Sequence, residues 1–303
     1  MTTIGKGKYS YRSIQDWAKL PSGETFGAMV CAVATDSQDR VYAFQRKDPP
    51  VVIFDQNGKY LSSWGNGAFI YIHGPYIAND IVYLCDRDSS VCMMYTLDGK
   101  PIQMLGRHGV HSDTGSEFTS GFAQHPPVPR AAGPFNYPTK MVPDSTGDLY
   151  VSDGYRNARV HRFSPDGRLK FSWGEPGKTG PGQFHVPHSL LVHEGLVYVC
   201  DRENHRVQVF TTEGEHIATW PMQWPMDISI DRDGILYVSD GPAAGVEGST
   251  ARISVLDLEG NVLARFGCRG EGHGICVDSH GNIYLGSGTP TNPGGVDKFV
   301  RRG

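Results

Sequence analysis

One phrase recurs six times along this chain and restricts what it can fold into: an apolar strand ending at a tyrosine. It reads DRVYAF around Tyr42, DIVYLCD around Tyr83, GDLYVSD around Tyr150, GLVYVCD around Tyr198, GILYVSD around Tyr237 and GNIYLGS around Tyr284. A second strand follows each, carrying Phe54, Tyr95, Phe163, Phe210, Leu256 or Phe299. In the first five units an amide or acidic residue then precedes glycine, as Asn57-Gly58, Asp98-Gly99, Asp166-Gly167, Glu213-Gly214 and Glu259-Gly260, and these pairs mark hairpin turns. A last strand closes the unit, as in KYLSSWG, RLKFSWG and EHIATW. Short strands and glycine-rich turns leave little room for helix. Units of about 40 residues with four strands describe propeller blades. The reading is therefore all-β: one six-bladed β-propeller forming a single domain over residues 1–303. The sixth unit runs out before its final strand, and residues 7–17 resemble that strand. The N-terminus is expected to close the ring and so remove two open sheet edges.

Charge and composition narrow the function. With 32 acidic against 28 basic side chains and no clustered basic run, the chain has no excess positive field for phosphates, which argues against nucleic acid as a partner. No window approaches the roughly 18 to 20 apolar residues of a membrane helix, and the first residues lack the apolar stretch of a secretory signal. Six scattered cysteines with no CxxC pair fit free thiols in a cytoplasm. Two stretches exceed the repeat. Residues 107–138 form a long Gly/Pro/Ser excursion, to be read as a lid or as an ordered surface loop, and residues 241–250 form a smaller insertion.

A histidine occupies the same register in alternate units. His73 and His188 lie ten residues before Tyr83 and Tyr198, and His273 lies eleven before Tyr284; Cys31, Thr139 and Met226 hold the equivalent places in the other units. Six-fold geometry turns alternate blades into a three-fold set of imidazoles. Three neutral imidazoles with an open fourth position are the ligand set of a catalytic Zn²⁺. The plainer reading makes each a hydrogen-bonded polar residue at a strand start. A local rival set, Cys268, His273 and Cys276, lacks a fourth ligand and puts Cys276 inside a strand.

Four residues after the repeat tyrosine, three units carry Arg46, Arg87 and Arg202, where the other three carry glycine. Guanidinium groups there would clamp a carboxylate or steady an oxyanion; the alternative is that Asp86-Arg87 and Asp201-Arg202 form inter-blade ion pairs. Tyr155, after Ser152-Asp153-Gly154, has no aromatic counterpart in the other units. Beside a metal and two arginines its phenol is a candidate general base.

These residues resemble the NHL-repeat six-bladed propellers, and within them the peptidyl-α-hydroxyglycine α-amidating lyases. The closest stretch is residues 152–206, from SDGYRNARVHRFSPDG to LVYVCDRENHR. The resemblance implies a catalytic zinc on His73, His188 and His273, a base at Tyr155, and functional arginines at Arg46 and Arg202. The family reaction splits a carbinolamide into an amide and glyoxylate. Where the family has Pro-His-Asp at the third ligand this chain has Gly272-His273-Gly274, so the side chain that holds a structural Ca²⁺ is missing and only carbonyls near Val33 and Pro75 remain for such an ion. A family methionine is replaced by Glu271, which together with Arg87 is expected near the substrate. The expectation is a zinc-dependent lyase on a small hydroxylated, carboxylate-bearing substrate. A metal-dependent hydrolase or hydratase on the same site and a non-catalytic NHL scaffold are the alternatives.

Overall fold

The computed structural model describes residues 3–27, 29–116, 125–243, 247–289 and 292–302. Residues 117–124 of the long excursion and 244–246 of the smaller insertion lie outside them. Among the described residues every regular element is a strand apart from one 3-10 turn. Two N-terminal strands, β1 (Thr3–Lys6) and β2 (Tyr9–Ile14), precede a first sheet of β3 (Val30–Thr35), β4 (Val41–Gln45), β5 (Val51–Phe54) and β6 (Tyr60–Trp64). The second sheet is β7 (Ile72–Ala78), β8 (Ile81–Asp86), β9 (Val91–Thr96) and β10 (Pro101–Gly106). The third is β11 (Pro138–Pro143), β12 (Leu149–Asp153), β13 (Arg159–Phe163) and β14 (Leu169–Trp173). A short parallel pair, β15 (Glu175–Pro176) and β16 (Gln183–Phe184), leads to the fourth: β17 (Pro187–His193), β18 (Leu196–Asp201), β19 (Arg206–Thr211) and β20 (His216–Pro221). The fifth is β21 (Pro225–Ile230), β22 (Leu236–Asp240), β23 (Arg252–Leu256) and β24 (Val262–Gly267). In the sixth, β25 (Gly274–Val277), β26 (Ile283–Thr289) and β27 (Asn292–Arg301) are completed by β2 and then β1. These are the six blades of a six-bladed β-propeller.

The chain divides into two compact units, Met1–Asp80 with Met226–Gly303, and Ile81–Pro225. In the first, β2 pairs antiparallel with β27, Tyr11 opposite Arg301, as the partial sixth repeat requires. The extra strand β1 extends that sheet beyond what the repeat foretold. Arg269 ties the join, bonding Asp297 on β27 and Asp16 just after β2.

The repeat tyrosine has a structural cause. Tyr42, Tyr150, Tyr198, Tyr237 and Tyr284 are fully buried. In four of the six repeats the hydroxyl donates to an aspartate six residues earlier: Tyr42 to Asp36, Tyr150 to Asp144, Tyr237 to Asp231 and Tyr284 to Asp278, at 2.8 to 3.3 Å. The same aspartates accept backbone N–H groups of their own turn, as Asp36 does from Gln38 and Arg40. A hydrogen bond to a charged acceptor is worth about 1.5 to 3 kcal/mol, so the tyrosine fills the core and pins the turn together. The second and fourth repeats have no such aspartate because their turns are two residues long, Asn79-Asp80 and Glu194-Gly195, all with positive φ. The glycines of the other hairpin turns, Gly58, Gly99, Gly167, Gly214 and Gly260, share φ between +83° and +87°, which is why glycine recurs there.

Candidate functional site

A bulge prepares the register in which the histidines lie. Pairing of the first strand of a sheet with its neighbour skips one residue between Val30 and Ala32, between Pro138 and Lys140, and between Pro187 and Ser189. The skipped residues are Cys31, Thr139 and His188, each the second residue of its strand. A bulge leaves its extra residue outside the ladder and re-aims the side chain. His73 is likewise second in β7, and His273 immediately precedes β25. All three imidazoles are buried, at 1%, 2% and 6% exposure for His73, His188 and His273.

In the second unit, His188 meets Tyr155, whose phenol oxygen is 2.9 Å from His188 Nε2. The preceding glycine makes this possible: a Cβ on Gly154 would stand 2.2 Å from the Pro187 carbonyl oxygen. The loop therefore lies against the start of β17 with no room for a side chain. Two guanidiniums flank the tyrosine ring, Arg87 at 5.0 Å and Arg202 at 5.4 Å from its centroid. Arg202 also points Nη1 at the phenol oxygen, 3.4 Å away. It sits on the 3-10 turn Arg202–Asn204 and lies over the Trp224 ring at 4.7 Å.

Arg87 donates Nε to Asp88, and Arg202 donates Nε to Glu203, so each engages the acid that follows it. The preceding aspartates are spent on the fold. Asp86 accepts from Ser89, and Asp201 accepts from the His185 N–H, Asn204, Arg206 and Gln208. Burial works to raise the Glu203 carboxyl, but Arg202 and a hydrogen bond from Trp224 outweigh it and hold the group below its usual range. Arg202 is thus oriented with one edge on Glu203 and the other toward Tyr155.

In the first unit, the rings of His73 and His273 stand edge to face, 5.1 Å between centroids. His273 Nδ1 donates to the Cys31 carbonyl at 2.7 Å, the bond that in a neutral imidazole selects the Nδ1–H tautomer and turns the Nε2 lone pair away from that carbonyl. The Cys31 thiol is spent on the carbonyls of Phe44 and Ile72, and burial raises it against the opposing charge of Arg46. It is therefore a protonated filler in the histidine register. Arg46 stacks on Tyr71 at 3.9 Å, and its buried Nε has no hydrogen-bond partner. Glu271 is half-buried two residues before His273. The glycine that replaces the family aspartate also has a cause: a Cβ on Gly274 would stand 2.5 Å from Ala32 Cα. The rival set is disfavoured, since burial together with Asp297 and Asp240 pushes the Cys268 thiol up to about 12, and Cys276 lies within β25 as expected. All six cysteines are free thiols.

One residue beside Tyr155 escaped the sequence reading. His125, from the long excursion, packs its ring 5.0 Å from that of Tyr155. Burial and then Arg202, with Arg87 and His185, push its imidazole down to about 4 against the pull of Glu203, so it is neutral near pH 7.

The comparisons agree with this architecture. The NHL repeat profile matches residues 184–210, which cover the start of the fourth sheet. Human NHL repeat-containing protein 3 is 30% identical over 286 residues, covering 84% of this chain and 77% of that protein. Peptidyl-alpha-hydroxyglycine alpha-amidating lyase 1 of Drosophila melanogaster is 28% identical over 281 residues, covering 81% of this chain and 47% of its own length. Among solved structures, a gluconolactonase from Xanthomonas campestris superposes with a TM-score of 0.67 at 13% identity, covering 97% of this chain and 91% of that one, which speaks to fold alone. The repeat, the blade pattern and the similarity to human NHL repeat-containing protein 3 together make this chain a member of the NHL-repeat family.

Proposed function

We propose that the chain is a metal-dependent lyase acting on a small hydroxylated, carboxylate-bearing substrate of the carbinolamide type, with zinc as the metal and Tyr155 as general base. The observation that carries this reading is the off-repeat phenol of Tyr155, 2.9 Å from a buried imidazole nitrogen of His188 and flanked by two guanidiniums. The donor set fits zinc. His73, His188 and His273 are buried and as a group could hold one metal ion. Neutral imidazoles favour zinc over Ca²⁺ or Mg²⁺, and the tautomer of His273 set by Cys31 is the kind of support such ligands receive. A bound metal would polarise the hydroxyl oxygen of the substrate.

The remaining chemistry belongs to the chain. Tyr155 takes the hydroxyl proton as the C=O bond forms. The C–N bond breaks, its electron pair goes to nitrogen, and that nitrogen is reprotonated to give the amide and glyoxylate. Arg202, held by Glu203, stabilises negative charge on the phenol oxygen, while Arg46 and Arg87 serve a substrate carboxylate. A structural Ca²⁺ finds no carboxylate at Gly274. The competing reading is a partner-binding scaffold, which the similarity to NHL repeat-containing protein 3 favours because that name carries no reaction.

The test is glyoxylate release from α-hydroxyglycine-type and ureidoglycolate-type acids, run beside elemental analysis of chelator-free protein. Zinc together with release supports the lyase. Metal-free protein without turnover on either class leaves the scaffold as the account.

A further inference from the structure

His125 belongs to no repeat, yet its ring packs beside that of Tyr155 in the second unit. Its backbone is anchored, since His185 Nε2 donates to its carbonyl oxygen at 2.7 Å and the His185 N–H is itself held by the buried carboxylate of Asp201. Its ring lies 5.0 Å from the Tyr155 ring, tilted by 53°. The charges acting on it are Arg202, Glu203, Arg87 and His185. Arg87 and Arg202, which also flank the tyrosine, each give their Nε to an acid.

The imidazole is half-buried, and neither ring nitrogen makes a hydrogen bond among the described residues. A neutral imidazole has one N–H donor and one lone pair, and leaving both unspent in a partly desolvated place is costly. Two cations nearby oppose a proton on the ring and favour an anion beside it. The edge is therefore suited to donating its N–H to an acidic ligand without itself carrying charge.

We propose that His125 is a substrate-binding residue that donates a hydrogen bond to the carboxylate of the ligand lying over Tyr155, and so selects acids over neutral analogues. This rests on the lyase reading, because it takes the Tyr155 pocket to be where the substrate sits. The long excursion thereby contributes a residue to recognition.

The experiment is calorimetric titration of glyoxylate, the acid product, into the purified protein and three variants. His125→Phe keeps a ring against Tyr155 and removes the donor, and His125→Asn restores a donor. Tyr155→Phe removes the base while leaving His125 in place. A hydrogen bond to a charged group corresponds to roughly a tenfold to hundredfold change in affinity. The expected result is weakening by that factor in His125→Phe, partial recovery in His125→Asn, and little change in Tyr155→Phe, with all melting temperatures close to that of the parent.

The propionamide analogue lactamide separates charge recognition from packing, because the donor has no carboxylate to hold in it. Parent and His125→Phe should treat lactamide alike. Equal glyoxylate affinity in parent and His125→Phe overturns the proposal while leaving the lyase reading intact. Failure of the parent to bind glyoxylate at all overturns the proposal, and glyoxylate release from the hydroxylated acids decides the lyase reading separately.

Discussion

The third and fourth sheets use one scaffold for opposite ends. Both place a bulged residue second in their first strand, Thr139 in β11 and His188 in β17. The Thr139 hydroxyl contacts the Ser152 carbonyl, the Ser152 hydroxyl and the Pro187 carbonyl, all within 2.9 Å. It knits β11 to both β12 and β17. The imidazole of His188 instead meets the phenol of Tyr155, a residue outside the repeat. The backbone device is common to both, so the element that distinguishes them is what the side chain at the bulge is bonded to. A repeat protein acquires a site by changing a few such side chains while the ladders stay as they are.

The sharpest way to break this comparison is to remove the imidazole. His188→Ala should lose bound metal, from about one ion per chain to near none, while the melting temperature in chelator stays close to that of chelated parent protein. Elemental analysis with differential scanning fluorimetry checks this; full metal retention would mean that His188 is only a packing residue. Next in size is Tyr155→Phe, for which turnover should fall by roughly 10² to 10⁴ at unchanged metal content. Full activity on a true substrate would exclude the phenol as base.

Two smaller effects probe the scaffold. Gly154→Ala forces a methyl group against the Pro187 carbonyl oxygen, 2.2 Å from the ideal Cβ position, and should destabilise by about 1 to 3 kcal/mol, with activity falling further than stability. Denaturant titration and steady-state rates read the two effects separately. Thr139→Val keeps the shape and removes the hydroxyl, so it should cost about 1 to 2 kcal/mol and leave metal and turnover unchanged. If Thr139→Val also lost activity, the division between a knitting residue and a working residue would fall.

What could be read in the sequence was whatever the repeat carried. The strands, the hairpin glycines and the common register of Cys31, His73, Thr139, His188 and Met226 follow from one period, and the structure puts them at one position in their strands. Tyr155 stood out because it departs from that period. His125 could not be found this way, because its approach to Tyr155 depends on the path of an excursion that no neighbouring unit repeats. The acids that hold the arginines did not stand out from the repeat either. Asp86 and Asp201 precede Arg87 and Arg202 in sequence, but they end strands and serve buried groups of the fold, and the arginines turn to Asp88 and Glu203 instead.

The join of β2 to β27 has a consequence in time. Tyr11 and Arg301 stand far apart in the sequence, yet they face each other in one ladder. Five sheets can assemble from consecutive hairpins as the chain grows, whereas the sixth waits for both of its ends. Contacts of such long sequence separation are slow to form, because the chain must close the long loop between them first. Until then β27 keeps a bare edge able to pair with another molecule. Pulse-labelled hydrogen exchange during refolding should find the β2 amides protected last; early protection there would show that the two ends meet before the blades between them are built.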